Sequence, residues 1–180
     1  MEKDTLRRET LKKLKSLPDK KEASSVIVSR ILDNEKYRSA DTVLAFFPLL
    51  STEPDIFPLL NDERVLLPFI ENGEMKFGRG KPEKSPLGVT LLTDAVEADY
   101  ESAVILVPLV AFDSTRLRLG RGGGYYDRYI KEHRGKLHSI GVAFSASYVE
   151  NIPRDSWDEK LDEIITEKSP GQCSGEEVLC

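Results

Sequence analysis

Between residues 115 and 129 the chain reads TRLRLGRGGGYYDRY, and the residue types most able to do chemistry are gathered there. Gly120, Gly122, Gly123 and Gly124 carry no side chains, so consecutive backbone N–H groups can turn toward one anion. A helix beginning at the two tyrosines would add the positive end of its dipole. Arg118, Arg121 and Arg128 bring cations to the same place. The spacing is not a Walker loop, because no Lys-Ser/Thr follows the glycines. Nor is it a dinucleotide fingerprint, whose third glycine would fall at Tyr125. Two readings stand: a cradle for a phosphate-bearing ligand, or a tight structural loop.

The charge distribution favours the cradle. The 180-residue chain has a formal net charge of -5, which argues against general nucleic-acid binding. Residues 115 to 136 hold seven cations against two anions, a local +5 that leaves -10 for the rest. Such a cationic island suggests an anionic ligand held at one point.

Three further features could complete a site. On a helical wheel Leu6, Leu11, Leu14 and Leu17 mark out an apolar stripe, and Lys3 and Arg7 fall inside the arc that these leucines span. Inward cations need an anion, or must snorkel to water. Glu53, in FFPLLSTEPDI, follows an apolar run and would stand at the binding edge of a sheet or stabilise a helix N-terminus. Asp127 and Asp162 are carboxylates of a kind that can hold Mg²⁺ beside a polyphosphate. Neither His133 nor His138 stands where a base is needed.

These residues need elements to position them. TVLAFF (42–47), RVLLPF (64–69), SAVILV (102–107) and HSIGVAF (138–144) are short apolar runs of the kind buried on both faces of a parallel sheet. MKF (75–77) and DEIIT (162–166) read as shorter strands. Helical periodicity covers 3–16 and about 19–34, with Ser16 as an N-cap and Pro18 in a first turn. Further helices are expected at about 54–62 and at 125–134, the latter closed by Gly135. GKPEKSPLGVTLLTD (80–94) reads as an irregular excursion. The fold expected is a single α/β domain over 1–168, an open, mostly parallel sheet flanked by helices in a Rossmann-like layered arrangement. A polar tail, 169–180, would be loosely ordered.

Composition sets the remaining bounds. At 39% hydrophobic and 32% charged residues the chain can bury one sizeable core. Its longest apolar run, Val104 to Phe112, is far short of a membrane span. The charged N-terminal segment has no signal-peptide core, so a cytoplasmic location is expected. Cys173 and Cys180 both lie in the tail, which makes a structural disulfide or metal site a poor reading.

Taken together, LVPLVAFDSTRLRLGRGGGYYDRYI, the STEPD segment, KDTLR at the start and IPRDSWDEKLDEIITE near the end resemble the 5-formyltetrahydrofolate cyclo-ligase family, also called 5,10-methenyltetrahydrofolate synthetases. The resemblance runs over most of the chain, and the glycine segment with YYD is its specific part. It implies a monomeric enzyme that uses ATP and Mg²⁺ to close a folate substrate into its methenyl form. By the same resemblance, Lys3, Asp4, Thr5, Leu6 and Arg7 would contact ATP, as would Arg118, Leu119, Gly120, Arg121, Gly122, Gly123, Gly124, Tyr125 and Tyr126. Glu53 and the segment from Arg121 to Tyr125 would meet the folate, with Asp127 and Asp162 near the metal. Neither nucleic acid nor membrane is an expected partner. The chain departs from the pattern at Ile56 (often Thr), Arg116 (usually Gly), Ser147 (commonly Gln) and Trp157 (often His), which leaves room for a paralogue acting on another phosphorylated or CoA-linked substrate. A nucleotide- or folate-binding module without catalysis is the other alternative.

Overall fold

The apolar runs pair as strands because each alternates its side chains between two buried faces. The computed structural model describes residues 2–85 and 88–169. Three helices come first, α1 (Lys3–Lys15), α2 (Lys20–Asp33) and α3 (Glu35–Ser39), followed by β1 (Val43–Leu44). After a 3-10 turn at Phe57–Asn61 come β2 (Val65–Glu71), β3 (Glu74–Lys84), β4 (Thr90–Glu97) and β5 (Ala103–Pro108). The short β6 (Ala111–Phe112) and β7 (Arg118–Leu119) precede α4 (Tyr125–Glu132), β8 (Leu137–Val142) and β9 (Glu163–Ile165).

Seven strands form one sheet in the order β4-β3-β2-β1-β5-β8-β9. β2, β1, β5, β8 and β9 run parallel, and β3 and β4 extend the β2 edge as antiparallel strands. On one face Val43, Val104, Leu106, Ile140 and Val142 pack against Leu14 of α1 and Ile27 and Ile31 of α2. On the other, Leu44, Ile105, Val107 and Leu66 pack against Tyr129 and Ile130 of α4. This two-faced burial is what the unbroken apolar runs required. After β1 the chain builds outward through β2, β3 and β4, then returns to place β5 on the other side of β1. The reversal makes a crevice beyond the carboxyl ends of β1 and β5, the place where open α/β sheets bind ligands. No helix among the described residues is long and apolar enough to cross a membrane.

Several sequence expectations need correction. Residues 80–84 and 90–94 are not irregular: β3 and β4 pair through Arg79–Val96, Lys81–Thr93, Pro82–Leu92 and Lys84–Thr90, with a register shift between Arg79 and Lys81. Gly80, Pro82 and a mostly exposed face disguise the strand, since the usual alternation is missing. Ser16 ends α1 rather than starting α2, its hydroxyl donating to the carbonyls of Lys12 and Lys13. Asp19, in a left-handed conformation, precedes α2 instead. The helix expected at 54–62 is only a 3-10 turn, and α4 stops at Glu132, before Gly135. The unanticipated α3 is capped by Asn34, whose side chain accepts from the Tyr37 N–H. The tail from residue 170 onward, with Cys173 and Cys180, lies outside the described residues.

Gly78 shows how closely the ribbon is packed. A Cβ there would lie 2.0 Å from the Val96 carbonyl oxygen, a backbone atom that cannot step aside alone. At Gly135 a Cβ meets nothing within 4 Å. Gly78→Ala is therefore expected to lower stability by about 2 kcal/mol or more in denaturant unfolding, whereas Gly135→Ala stays within about 0.5 kcal/mol of the wild type.

Candidate active site

The crevice beyond β1 and β5 is a cleft of about 470 Å³. The glycine segment connects β7 to α4 along its wall. Gly122 has φ 101° and Gly124 φ 65°, conformations that a residue with a Cβ takes only with strain. Gly124 is the N-cap of α4, and it brings no capping side chain to the first-turn N–H groups. That leaves them without a side-chain cap, the condition in which helix N-termini accept anions.

Cations reach this wall from β7, the glycine segment and α1, and each meets a carboxylate. Arg118 is almost wholly buried, with Nη2 3.0 Å from Asp127 Oδ2 and its guanidinium over the Tyr126 ring. Its Nε is buried without a hydrogen-bond partner among the described residues, an unsatisfied donor on the wall of the cleft. Burial holds the Tyr126 hydroxyl well above its usual pKa, helped by the Glu53 charge. Arg121 reaches across the cleft to Glu53, its Nε and Nη2 donating to Oε1 at 3.0 and 2.9 Å. The same Nη2 donates to Thr52 Oγ1 at 2.6 Å, and the Leu49 N–H donates to Glu53 Oε2 at 2.8 Å. Burial raises the Glu53 pKa, and the Arg121 charge and the Leu49 N–H offset this only in part.

Of the segment from Lys3 to Arg7, only Lys3 and Arg7 line the cleft. Asp4 is exposed and pairs with Arg7 Nη1. Thr5 is half-buried. Leu6 is buried in a small cluster with Ala111, Leu117, Leu119 and Ile152. Arg7 Nε donates to the Gly120 carbonyl at 2.8 Å, tying α1 to the glycine segment. Lys3 Nζ donates to Asp155 at 2.7 Å and to Asp158 at 2.5 Å. Burial works against the Lys3 charge, but these two carboxylates outweigh it and hold its pKa above the ordinary lysine value. The two cations placed on the apolar stripe by helical angle thus face inward to partners rather than snorkelling out.

Asp127 stands in the cleft, and Asp162 does not line it. Asp162 Oδ2 accepts from the Ser139 N–H at 2.8 Å and from its hydroxyl at 2.7 Å. The carboxylates that join Asp127 are Asp155 and Asp158, with the Glu159 N–H 3.5 Å from Asp127 Oδ1. Sequence reasoning missed these two, and it missed the apolar wall formed by Phe46, Phe47, Pro68, Ile70, Met75 and Leu91. Ile70 and Val89 are left partly open to solvent on this wall, an exposure that nothing in the sequence announces. Of the departures, Ile56 is core and Ser147 is buried, while Arg116 sits at φ 64°, where a glycine is unstrained.

A mostly parallel sheet with a glycine-lined cleft of paired charges at its switch point defines an α/β protein of the doubly wound class. The chain belongs to the 5-formyltetrahydrofolate cyclo-ligase family, whose sequence pattern matches residues 1–167. It is 32% identical over 116 residues to 5-formyltetrahydrofolate cyclo-ligase of Haemophilus influenzae, covering 62% of this chain and 58% of that one. The enzyme of the same name from Escherichia coli K12 is 31% identical over 114 residues, covering 63% and 60%. The matched stretch thus spans about three fifths of those relatives. The NMR structure of Aquifex aeolicus 5,10-methenyltetrahydrofolate synthetase superposes with a TM-score of 0.80 at 30% identity, covering 94% of this chain and 91% of the other.

Asp162 generates a pH-dependent expectation. Burial opposes its ionised form, but the N–H and hydroxyl of Ser139, with Arg134, outweigh that and hold its pKa below the usual carboxylate range. Its contribution is therefore present above its unfolded pKa and is lost as pH falls through the depressed folded value. Asp162→Asn should be less stable than wild type by about 1–3 kcal/mol at pH 7, with the gap closing below about pH 4 in thermal melts.

Proposed function

We propose that the chain uses ATP to convert 5-formyltetrahydrofolate into 5,10-methenyltetrahydrofolate, releasing ADP and phosphate. What carries the reading is one cleft, in a chain of this family, where a helix-capping glycine segment, paired cations and an apolar wall converge. The glycine segment and the first turn of α4 would hold the ATP phosphates, with Lys3, Arg7 and Arg118 around them. Arg118 Nε, a buried donor lacking an acceptor among the described residues, is what a phosphate oxygen would satisfy. The folate ring would lie against the apolar wall, with Glu53 and Arg121 at its polar end.

A formyl oxygen is a poor leaving group. Its attack on the γ-phosphorus expels ADP and leaves an activated carbon; N10 then attacks that carbon, gives up its proton, and the oxygen departs with phosphate. Such chemistry asks the protein mainly for positioning and charge stabilisation. Arg121 lies where it could neutralise the transferred phosphoryl group. Mg²⁺ fits the donor set when the ligand shares in holding it. Among the described residues no three His, Cys, Asp or Glu side chains group to hold a metal alone. Phosphate oxygens would complete the shell around Asp127 and Asp158, hard oxygen donors lining the cleft. The metal would supply charge neutralisation at the phosphates. The enzyme would act as a monomer, and ATP as co-substrate supports a cytoplasmic one. The match ending at residue 167 supports a catalytic unit of about 1–168.

The test is the absorbance of the methenyl product after mixing protein, ATP, Mg²⁺ and 5-formyltetrahydrofolate. Product formed only with all components present supports the reading. Folate and ATP binding without product would make the chain a binding module, and turnover of another phosphorylated or CoA-linked substrate would make it a paralogue.

Two substitutions probe the nucleotide half. Arg7→Ala removes a cation and the tie to the Gly120 carbonyl, so the KM for ATP should rise roughly tenfold while the KM for folate moves about twofold or less. Asp127→Asn should abolish most Mg²⁺-dependent turnover. It should also lower stability by about 1–3 kcal/mol, because the buried Arg118 loses its ionic partner. Wild-type turnover in that variant would remove Asp127 from the metal site.

A further inference from the structure

The turn at 155–158 carries a side chain that the proposed reaction does not use. Trp157 is the only tryptophan in the chain and is 61% exposed, yet its mount is fixed. The Asp155 N–H donates to Asp158 Oδ2 at 2.7 Å, and the Asp158 N–H donates to the Asp155 carbonyl at 3.2 Å, closing the turn. Outside it, both carboxylates accept from Lys3 Nζ, and the next N–H, of Glu159, approaches Asp127 Oδ1. The indole is therefore displayed on the cleft wall by a turn that is already ordered.

Leaving so large an apolar ring open to water on an ordered mount is the arrangement of a contact surface rather than of a core residue. The anchors say which ligand it faces. Lys3 and Asp127 belong to the end of the cleft where phosphates would lie, whereas Glu53, Thr52 and Arg121 hold the other end together. A ring one residue from the Lys3–Asp158 pair is thus on the same side of the cleft, open to whatever a phosphate-bound ligand carries beyond its phosphates.

We propose that Trp157 is a specificity-determining residue for the nucleotide, its indole packing face to face on the purine base. The proposal rests on the ATP reading given above. Base-on-aromatic stacking is tolerant of base identity, because every base has a π face, so the residue would select for an aromatic base rather than for adenine alone.

Calorimetric titration of wild type, Trp157→Ala and Trp157→Phe with Mg·ATP, Mg·tripolyphosphate and 5-formyltetrahydrofolate tests this, together with the intrinsic tryptophan emission of the wild type. ATP should quench that emission saturably, and tripolyphosphate should bind without doing so. Trp157→Ala should raise the Kd for ATP roughly tenfold, with the other two ligands within about twofold and Trp157→Phe within about threefold for ATP. Equal ATP affinity in wild type and Trp157→Ala would overturn the proposal while leaving the ATP reading intact. So would an equal loss for tripolyphosphate, or a loss confined to the folate. A wild-type protein that binds no ATP would bring down both.

Discussion

Charge pairing across the cleft is the constraint on which the rest of the site depends. Four cations among the described residues reach its wall, and each arrives with a carboxylate: Lys3 with Asp155 and Asp158, Arg7 with Asp4, Arg118 with Asp127, and Arg121 with Glu53. Lys3 and Arg121 pair with residues far away in sequence, and Arg118 on β7 pairs with Asp127 on α4, so these pairs are also ties between parts of the fold. An unpaired guanidinium as buried as that of Arg118 would cost several kcal/mol. The pairs let cations stand on the wall before any ligand does, and make the entry of an anion an exchange of partners rather than a first neutralisation.

The sheet explains why these pairs can form in one place. Because β1 lies between β2 and β5, the loops leaving it and β5 open into the same crevice. One loop carries Glu53, and the chain beyond β5 carries the glycine segment. The small β6–β7 pair brings Arg118 beneath α4, and the bond from Arg7 to the Gly120 carbonyl seats α1 against the same segment. The N-terminal helix is thus part of the site although it lies outside the sheet.

Much of this could be read from residue types. The strands buried on both faces announced themselves as unbroken apolar runs, and the inward turn of Lys3 and Arg7 followed from their angles on the helix. What could not be read depended on contacts between distant residues. Asp158 and Asp162 sit four residues apart ahead of β9, and nothing local says which faces the cleft. The turn closed by Asp155 and the hold of Ser139 on Asp162 decide it. The β3–β4 ribbon was hidden for a different reason. Its glycines at 78 and 80 admit close backbone pairing, and they erase the alternation by which a strand is recognised.

That ribbon also divides the molecule into parts that can change at different rates. It joins the sheet at one edge only, through β2, and contributes Met75, Val89 and Leu91 to the cleft without touching the register of the parallel strands. An antiparallel ribbon can gain or lose residue pairs toward its free end while the pairs nearest the sheet stay as they are. A longer or shorter ribbon would therefore deepen or cut back the apolar wall while the glycine segment and its ion pairs stay put.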